Sequence, residues 1–206
     1  LPPRSARGRP GDDITGDSGV NMLDGADGDD LLNGGGNDDT VYGGSGSDKL
    51  TGGGGVASPH SPLDVSTYTT EELRAAVEAA ENWGTYVTVH AYTPESIQRA
   101  IDAGVKCIEH THLMDDATAK LMAEKGIWLS SQPLPQELGQ AFPVGSEERS
   151  KFEQVYAGND TVYALARKYK LKTAWGTDVL FSQALAQRQG AILTSMARWY
   201  TPAEVL

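Results

Sequence analysis

Five consecutive nonapeptides fill residues 7–51 and decide how the first quarter of this 206-residue chain folds: RGRPGDDIT, GDSGVNMLD, GADGDDLLN, GGGNDDTVY and GGSGSDKLT. The sixth position of each repeat is polar and the eighth is aliphatic. The sixth positions are Asp12, Asn21, Asp30, Asp39 and Asp48, and the eighth are Ile14, Leu23, Leu32, Val41 and Leu50. Glycines at the first, second and fourth positions permit the positive φ of a tight turn. One inward aliphatic side chain per repeat makes a core only when successive coils stack.

The repeats also carry the oxygen ligands that a hard cation prefers, namely carboxylates and backbone carbonyls. Each nonapeptide supplies one turn and one short strand, so Asp12, Asp30 and Asp48 should line one edge and Asn21 and Asp39 the other. Over residues 7–55 this register resembles the calcium-binding nonapeptides of repeats-in-toxin proteins. The resemblance implies a small parallel β-roll with Ca²⁺ between turns eighteen residues apart. The alternative is a disordered Gly/Asp-rich linker, but linkers do not keep an aliphatic residue at every ninth position.

Charge and composition divide the chain at the end of the repeats. The sequence carries 28 acidic and 17 basic residues, a formal net charge of −11. Residues 1–55 contribute ten Asp and four Lys or Arg, or −6, and 16 of the 24 glycines. The sequence therefore predicts a calcium-binding repeat domain over 1–55 and a second domain over 56–206. Nothing in the chain is basic enough to indicate binding to nucleic acid.

Cysteine content, hydropathy and the chain ends indicate what the protein lacks and where in or outside the cell it works. Cys107 is the single cysteine, so a disulfide framework is excluded. No apolar run is long enough to span a membrane, and no membrane partner is expected. The chain starts at Leu1 rather than Met and stops in a stretch typical of a first helical turn, so both ends are expected to be truncated. Calcium repeats favour a secreted or extracellular protein and the second domain favours a cytoplasmic one, which leaves the localisation open.

From Thr69 onward the sequence alternates between helical and strand patterns. Thr69 or Thr70 precedes acidic residues, as an N-cap does, and Pro94 suits the first turn of the next helix. Strands that alternate with helices imply a parallel sheet with right-handed crossovers. The predicted helices cover 71–82, 94–103, 115–125, 147–169 and 182–199, the predicted strands cover 85–90, 105–110, 127–131 and 172–176, and a proline-rich loop covers 132–145. Core or helix-packing positions are predicted for Trp83, Trp128, Trp175 and Trp199.

Polar residues stand where three of the predicted strands end. His90 ends one strand, His110 ends the next, and Asp178 follows the last. Loops after the carboxyl ends of parallel strands line the active site of α/β barrels. Two imidazoles and a carboxylate can hold zinc or a similar ion with an open position. A lone histidine at a strand end is more often a hydrogen-bonded structural residue, but three such ends favour a metal site.

These residues lie within motifs that resemble the metal-dependent amidohydrolase superfamily over about residues 53–206. The motifs are GGVASP, TTEELRAAVEAAENWG, VHAYTPESIQRAIDAGVKCIEH, LMDDATAKLMAEKGIW, AWGTD and RWYTPAEVL. They are most similar to the branch of prolidase-like, Xaa-Arg dipeptidase-like and imidazolonepropionase-like enzymes. The resemblance implies a (β/α)8 TIM-type barrel that hydrolyses a small amide or peptide substrate with water activated by one or two Zn²⁺ or similar divalent ions. It also implies that His90, His110 and Asp178 bind metal and that Asp178 is the catalytic proton shuttle.

The chain departs from this family at the start of the barrel. The HxH motif of strand one and the strands up to the third should precede GGVASP, where the repeats stand instead. The literal HxH at 110–112 begins with the strand-six histidine, which leaves His112 in the following loop or behind the ligands, with a ligand role as the less favoured alternative. The expected fold is therefore the C-terminal part of an incomplete barrel, preceded by a small β-roll. Such a half-barrel should be unstable, or its open sheet edges should pair with a second copy of the chain or with the β-roll.

Three further residues are candidates for the site. Lys49 stands five residues before Gly54, the spacing of the carbamylated lysine that bridges the metals in binuclear relatives, but it is also an ordinary variable position of the fifth repeat. His60 could approach a substrate or be an exposed loop residue. Tyr92 stands where some relatives carry a second histidine and is either a substrate-binding phenol or a packing residue.

Two functions follow from the sequence. The first is a metal-dependent amidohydrolase, reduced to a fragment with weak or no turnover of its own. The second is a calcium-binding repeat module joined to an inactive amidohydrolase remnant. Retention of a transition metal by His90 and His110 would favour the first, and binding of calcium alone would favour the second.

Overall fold

A computed structural model gives the fold and describes residues 4–7, 11, 13–15, 21–26, 31–33, 40–42, 49–50, 55–56, 62–64, 68–178 and 183–205. The repeat region forms short parallel strands that alternate between two sheets. One sheet holds β1 (Arg4–Arg7), β3 (Asn21–Asp24) and β5 (Thr40–Tyr42), and the other holds β2 (Asp13–Thr15), β4 (Leu31–Asn33) and β6 (Lys49–Leu50). In the second sheet, paired residues such as Ile14 and Leu32 are two nonapeptides apart. The eighth-position side chains of Leu23 and Leu32 are buried.

The second sheet continues into the larger part of the chain. Its other strands are β7 (Thr88–Ala91), β8 (Cys107–His110), β9 (Trp128–Ser131) and β10 (Lys172–Trp175). The strand order is β10-β9-β8-β7-β6-β4-β2, and every pair is parallel. This confirms the predicted parallel α/β class. Lys49 is in register with Thr88, so the last repeat strand lies directly beside the first strand of the predicted hydrolase domain.

The helices begin and end largely where the sequence predicts. They are α1 (Thr70–Asn82), α2 (Pro94–Ala103), α3 (Asp116–Lys125), α4 (Glu147–Ala157), α5 (Asn159–Tyr169), α6 (Gln183–Ala186), α7 (Gln189–Ser195) and α8 (Pro202–Val205). Thr69 caps α1 in a capping box with Glu72, which satisfies two amides that have no partner within the helix. The carboxyl ends of α2 and α3 lie at Gly104 and Gly126, whose left-handed φ values of 102° and 66° suit glycine.

Two predicted helices are divided. The predicted helix over 147–169 is helical at both ends but not continuous, because α4 and α5 meet at Gly158. A Cβ at Gly158 would lie 2.0 Å from the carbonyl oxygen of His112, so the chain passes too close to the loop after β8 for any side chain there. The helix predicted over 182–199 is broken at Arg188, whose ψ of 19° is not helical, and ends in a 3-10 turn at Met196–Arg198. The proline-rich loop contains a 3-10 helix at Gln136–Ala141.

The main core lies between the sheet and helices α1, α2, α3 and α5. Val89, Ile108 and Leu129 from the central strands pack against buried side chains of these helices. Trp175 and Trp199 pack against this core as predicted. The core positions predicted for Trp83 and Trp128 are wrong, since 66% and 46% of these residues are exposed, at the end of α1 and the start of β9. No helix in the described residues has the length and apolar character needed to cross a membrane.

Candidate active site

Two histidines from neighbouring strands meet at the carboxyl end of the sheet. His90 lies in β7 and His110 ends β8, and Nδ1 of His90 is 2.5 Å from Nε2 of His110. His110 is in register with Ala91, so regular alternation of side chains would place it on the opposite face of the sheet from His90. The φ of His110 is 71°, which takes this residue out of the extended conformation. We attribute the meeting of the two rings to this change of backbone direction.

The backbone after β8 is strained and is held by hydrogen bonds. His110 and Thr111 have consecutive left-handed φ values of 71° and 57°, a conformation that costs a non-glycine residue roughly 1–3 kcal/mol. The Thr111 hydroxyl donates to the His110 carbonyl at 2.7 Å, and the Ser131 hydroxyl donates to the same oxygen at 3.0 Å. The Thr111 amide donates to the Ala91 carbonyl of β7. These bonds offset the strain and fix the position from which the His110 ring projects.

Gln132, the residue after β9, connects the His110 ring to the carboxylate after β10. Its Nε2 lies 2.7 Å from Nδ1 of His110 and 3.4 Å from Oδ2 of Asp178. The backbone carbonyl of Gln132 accepts a hydrogen bond from Nε2 of His112 at 3.0 Å. Burial lowers the pKa of His112 to about 4, against smaller opposing effects of the Gln132 carbonyl and the Asn159 side chain. His112 is therefore a neutral, fully buried ring that holds Gln132 in place.

Tyr92 and Asp178 complete the surroundings of His110. The Tyr92 ring stacks on the His110 ring with centroids 4.5 Å apart and planes 7° apart, and only 5% of the residue is exposed. Burial, and then the negative charge of Asp178, raise the pKa of Tyr92, so its hydroxyl stays protonated at neutral pH. Asp178 is exposed and has a left-handed φ of 49°. Tyr92 belongs to a cluster of buried apolar side chains, including Leu134, that come mainly from the loop and helices after β9.

The structure brings His90, His110 and Asp178 to one end of the sheet, where the Gln132 side chain contacts both His110 and Asp178. Sequence reasoning missed Gln132, which was assigned to the proline-rich loop. The available signal was its position directly after a predicted strand, the same signal that identifies His90 and His110.

Other predicted site residues are described in part or not at all. Lys49 is described through its pairing with Thr88, two residues before His90 on the neighbouring strand. Asn21 is the first residue of β3. The remaining predicted calcium ligands and one predicted substrate-binding residue lie outside the described residues: Asp12, Asp30, Asp39, Asp48 and His60.

The histidine pair fits a divalent metal ion in its donor atoms. Among the residues that the structure describes, no group of three or more His, Cys, Asp or Glu side chains is arranged to hold an ion. The two facing nitrogens of His90 and His110 are the donors that Zn²⁺ prefers. Two such ligands of a tetrahedral Zn²⁺ lie roughly 3.3 Å apart, so the rings would have to separate by less than about 1 Å.

The fold and the site define the class of this protein. It is an α/β protein with a parallel sheet, and its candidate site lies at the carboxyl ends of the strands. Comparison with known families gives the more particular assignment. The model of the amidohydrolase family matches residues 44–150, just over half of the sequence, and the chain belongs to this family. The model of the RTX calcium-binding nonapeptide repeat matches residues 8–41 and 15–50. Residues 44–50, which include β6, lie within both matches.

Similar proteins agree with this assignment. Ochratoxinase from Aspergillus niger is 36% identical over 73 residues, which are 35% of this chain and 15% of that protein. The crystal structure of an amidohydrolase superposes with a TM-score of 0.70 at 36% identity, over 77% of this chain and 39% of that one. A prolidase complexed with N-methylphosphonate-L-proline gives a TM-score of 0.69 at 32% identity, with the same two coverages. The chain thus spans about two fifths of the solved structures that it resembles and a smaller share of the curated relative.

Proposed function

We propose that this chain uses His90 and His110 to hold a divalent metal ion for the hydrolysis of an amide or peptide bond. The observation that carries the proposal is the convergence of Nδ1 of His90 and Nε2 of His110 at the carboxyl end of the sheet. A metal ion, when bound, supplies Lewis-acid activation of water and of a carbonyl oxygen. The proposed substrate is a small amide or peptide, in keeping with the proline analogue bound to the similar prolidase.

Asp178 is the proposed third ligand and the group that moves protons. Its exposed carboxylate lies 3.4 Å from Nε2 of Gln132, the same nitrogen that contacts the His110 ring at the carboxyl end of the sheet. A carboxylate there can accept a proton from the attacking water and pass it to the leaving nitrogen. Tyr92 cannot act as a base at neutral pH, because burial and Asp178 raise its pKa. A substrate-binding role for Tyr92 remains a prediction, and its packing on His110 supports a role in orienting that ring.

Lys49 is proposed as a further ligand if two ions bind. Its strand lies beside β7, and it is in register with Thr88, two residues before His90. The overlap of the two family matches at residues 44–50 supports the retention of a family lysine in the last repeat.

Metal content tests the proposal. The full chain, reconstituted with Zn²⁺ and desalted, should retain at least one ion by elemental analysis. The ion should be lost in His90→Asn and His110→Asn, whereas Gln154→Asn, an exposed change in α4, should keep it. Calcium as the sole retained metal would contradict the proposal and favour a calcium module joined to an inactive remnant.

Turnover is a separate question from metal binding. Because the chain spans about two fifths of its structural relatives, we propose that it hydrolyses a panel of dipeptides weakly or not at all on its own. Robust hydrolysis that Asp178→Asn abolishes would contradict this part of the proposal and establish the chain as a sufficient catalyst.

The repeats are the proposed site of a second function, calcium binding in a β-roll. The specific observation is the alternation of their strands between two parallel sheets with an offset of two nonapeptides, together with the match to the RTX repeat. In this proposal the sixth-position residues and the turn carbonyls bind Ca²⁺. In this proposal a second copy of the chain pairs with an edge strand of the seven-stranded sheet, β2 or β10.

A further inference from the structure

A cleft separate from the histidine pair lies between the loop after β9 and the helices that follow β10. Its walls come from residues 133–137, from the junction of α4 and α5, and from α7 with the 3-10 turn after it. None of the proposed ligands His90, His110 and Asp178 is among the described residues that line it. Its volume is about 320 Å³, and small-molecule sites in proteins span roughly 300–1,000 Å³. The cleft is therefore large enough for a ligand the size of an amino acid.

Much of the lining of the cleft is apolar or aromatic. Leu134, Leu185 and Ile192 line it and are between 6% and 9% exposed. Tyr156 and Trp199 add two aromatic rings. Walls of this kind bind an apolar side chain by removing it from water.

Hydrogen bonds fix these walls in place. The buried Asn159 side chain binds the Leu134 backbone twice, since its Oδ1 accepts from the amide at 3.2 Å and its Nδ2 donates to the carbonyl at 3.0 Å. Nε1 of Trp199 donates to Asp160 at 2.7 Å, and its ring lies against that of Tyr163 with centroids 4.4 Å apart. The cleft is therefore formed without a ligand, and binding does not have to order its walls.

Two exposed side chains of opposite charge line the same cleft. Arg188 lies at the break between α6 and α7, and Glu137 lies in the 3-10 helix of the proline-rich loop. In the part of the chain that the structure describes, neither side chain has an ion-pair or hydrogen-bond partner. Arg198, the other arginine of the lining, differs because its guanidinium donates to the Asp160 carboxylate at 2.5 Å. Arg188 and Glu137 are therefore available to a ligand that carries one negative and one positive group.

We propose that this cleft binds an apolar α-amino acid in its zwitterionic form. The Arg188 guanidinium pairs with the carboxylate of the ligand, and the Glu137 carboxylate pairs with its ammonium group. The apolar wall surrounds the side chain of the ligand. A lone cation would accept any anion, whereas two opposite charges select a ligand that carries both. The inference goes beyond the proposed hydrolysis and needs no metal ion, although apolar amino acids are products that hydrolysis of a dipeptide releases.

Three ligands separate the contributions of the two charges. L-Phenylalanine carries both groups, N-acetyl-L-phenylalanine lacks the positive charge, and L-phenylalaninamide lacks the negative charge. Each is titrated into the full chain in calcium-containing buffer without a transition metal. Binding is followed by NMR through the indole N–H of Trp199, which is assigned by its loss in Trp199→Phe. The dissociation constant of L-phenylalanine should be roughly tenfold lower than that of either derivative, because each derivative loses one charge-assisted pair.

Two substitutions test the partners assigned to these groups. Arg188→Gln should weaken the binding of L-phenylalanine roughly tenfold and leave that of L-phenylalaninamide unchanged. Glu137→Gln should weaken the binding of L-phenylalanine to a similar degree and leave that of N-acetyl-L-phenylalanine unchanged. Arg74→Gln, an exposed change in α1 outside the cleft, is the matched control and should alter none of the three.

The outcomes keep this inference distinct from the proposed function. Equal binding of the three ligands, equal binding of L-phenylalanine by the Arg188 variant and the unsubstituted chain, or no shift of the Trp199 signal at millimolar L-phenylalanine would overturn it. If the chain binds L-phenylalanine as expected but retains no Zn²⁺, the proposed metal-dependent function fails and the amino-acid site stands.

Discussion

Gly158→Ala is expected to destabilise the protein because there is no room for a methyl group between α4 and α5. The added Cβ would lie 2.0 Å from the carbonyl oxygen of His112 and 2.8 Å from its carbonyl carbon, and backbone atoms cannot rotate out of the way. Relief of the contact requires a movement of about 1 Å or more, and overpacking of this kind costs roughly 1–3 kcal/mol. Alanine returns about 0.4–1 kcal/mol by lowering the conformational entropy of the unfolded chain. A contact of 2.0 Å with backbone belongs at the upper end of the overpacking range, about 3 kcal/mol, so the expected net loss is about 2 kcal/mol.

Thermal unfolding followed by circular dichroism in calcium-containing buffer measures this loss. For a chain of this length, 1 kcal/mol corresponds to roughly 2–4 °C, so the Tm should fall by about 4–8 °C. Gly190→Ala is the matched control, since Gly190 lies within α7 with nothing within 4 Å of its added Cβ, and it should raise the Tm slightly. The His112 ring is bonded to the backbone of Gln132, and the Gln132 side chain contacts the His110 ring. Gly158→Ala should therefore also weaken the binding of Co²⁺, a spectroscopic substitute for Zn²⁺, more than Gly190→Ala does. An equal or higher Tm for Gly158→Ala would refute the packing argument.

Three further predictions concern the repeats, a helix cap and association. Millimolar Ca²⁺ should increase the β-sheet signal in the circular dichroism of the chain. It should also slow amide hydrogen exchange in Thr88–Ala91, because β6 pairs with β7. Unchanged spectra would contradict the proposed calcium-bound β-roll. Asp115→Ala should cost about 1 kcal/mol in urea unfolding, since the Asp115 carboxylate caps α3 through the Thr118 amide at 2.8 Å. The Thr118 side chain and amide lower the pKa of Asp115. The stabilisation of the folded state by the ionised cap is therefore present above pH 3.8, the ordinary pKa, and is lost as the pH falls through the folded-state pKa. The variant Asp115→Asn should lack this pH dependence. Light scattering should show a dimer if a second copy covers the sheet edges, and a monomer at all concentrations would exclude that pairing.

Local features of the sequence predicted most of the fold. The capping box of Thr69 and Glu72, the glycines at 104 and 126 and the nine-residue period all act within a few residues of where they stand, so they can be read without knowledge of the tertiary structure. The division of the helix at Gly158 could not be found this way. Its cause is a contact with His112, 46 positions away in the sequence.

The site shows the same distinction between local and tertiary causes. The positions of His90 and His110 follow from the rule that functional residues stand at the carboxyl ends of parallel strands. Their contact depends on the left-handed backbone of His110, which two hydroxyl groups stabilise from Thr111 and Ser131. No spacing in the sequence encodes that conformation, because histidine has no strong preference for it. The contact of Gln132 with His110 could not be predicted for a similar reason, because glutamine is common in loops and its presence there indicates no particular partner.

The position of β6 has a consequence for how such a chain can change in evolution. The dipeptide of Lys49 and Leu50 completes the repeat array and is also the neighbour of β7. Coils can be gained or lost at the amino-terminal end of the array without altering this neighbour, and each second coil widens the sheet by one strand, or about 4.8 Å. A substitution in the last coil, by contrast, must suit both a stacked calcium repeat and a strand beside His90. We therefore expect array length to vary among related chains while the last nonapeptide tolerates few changes.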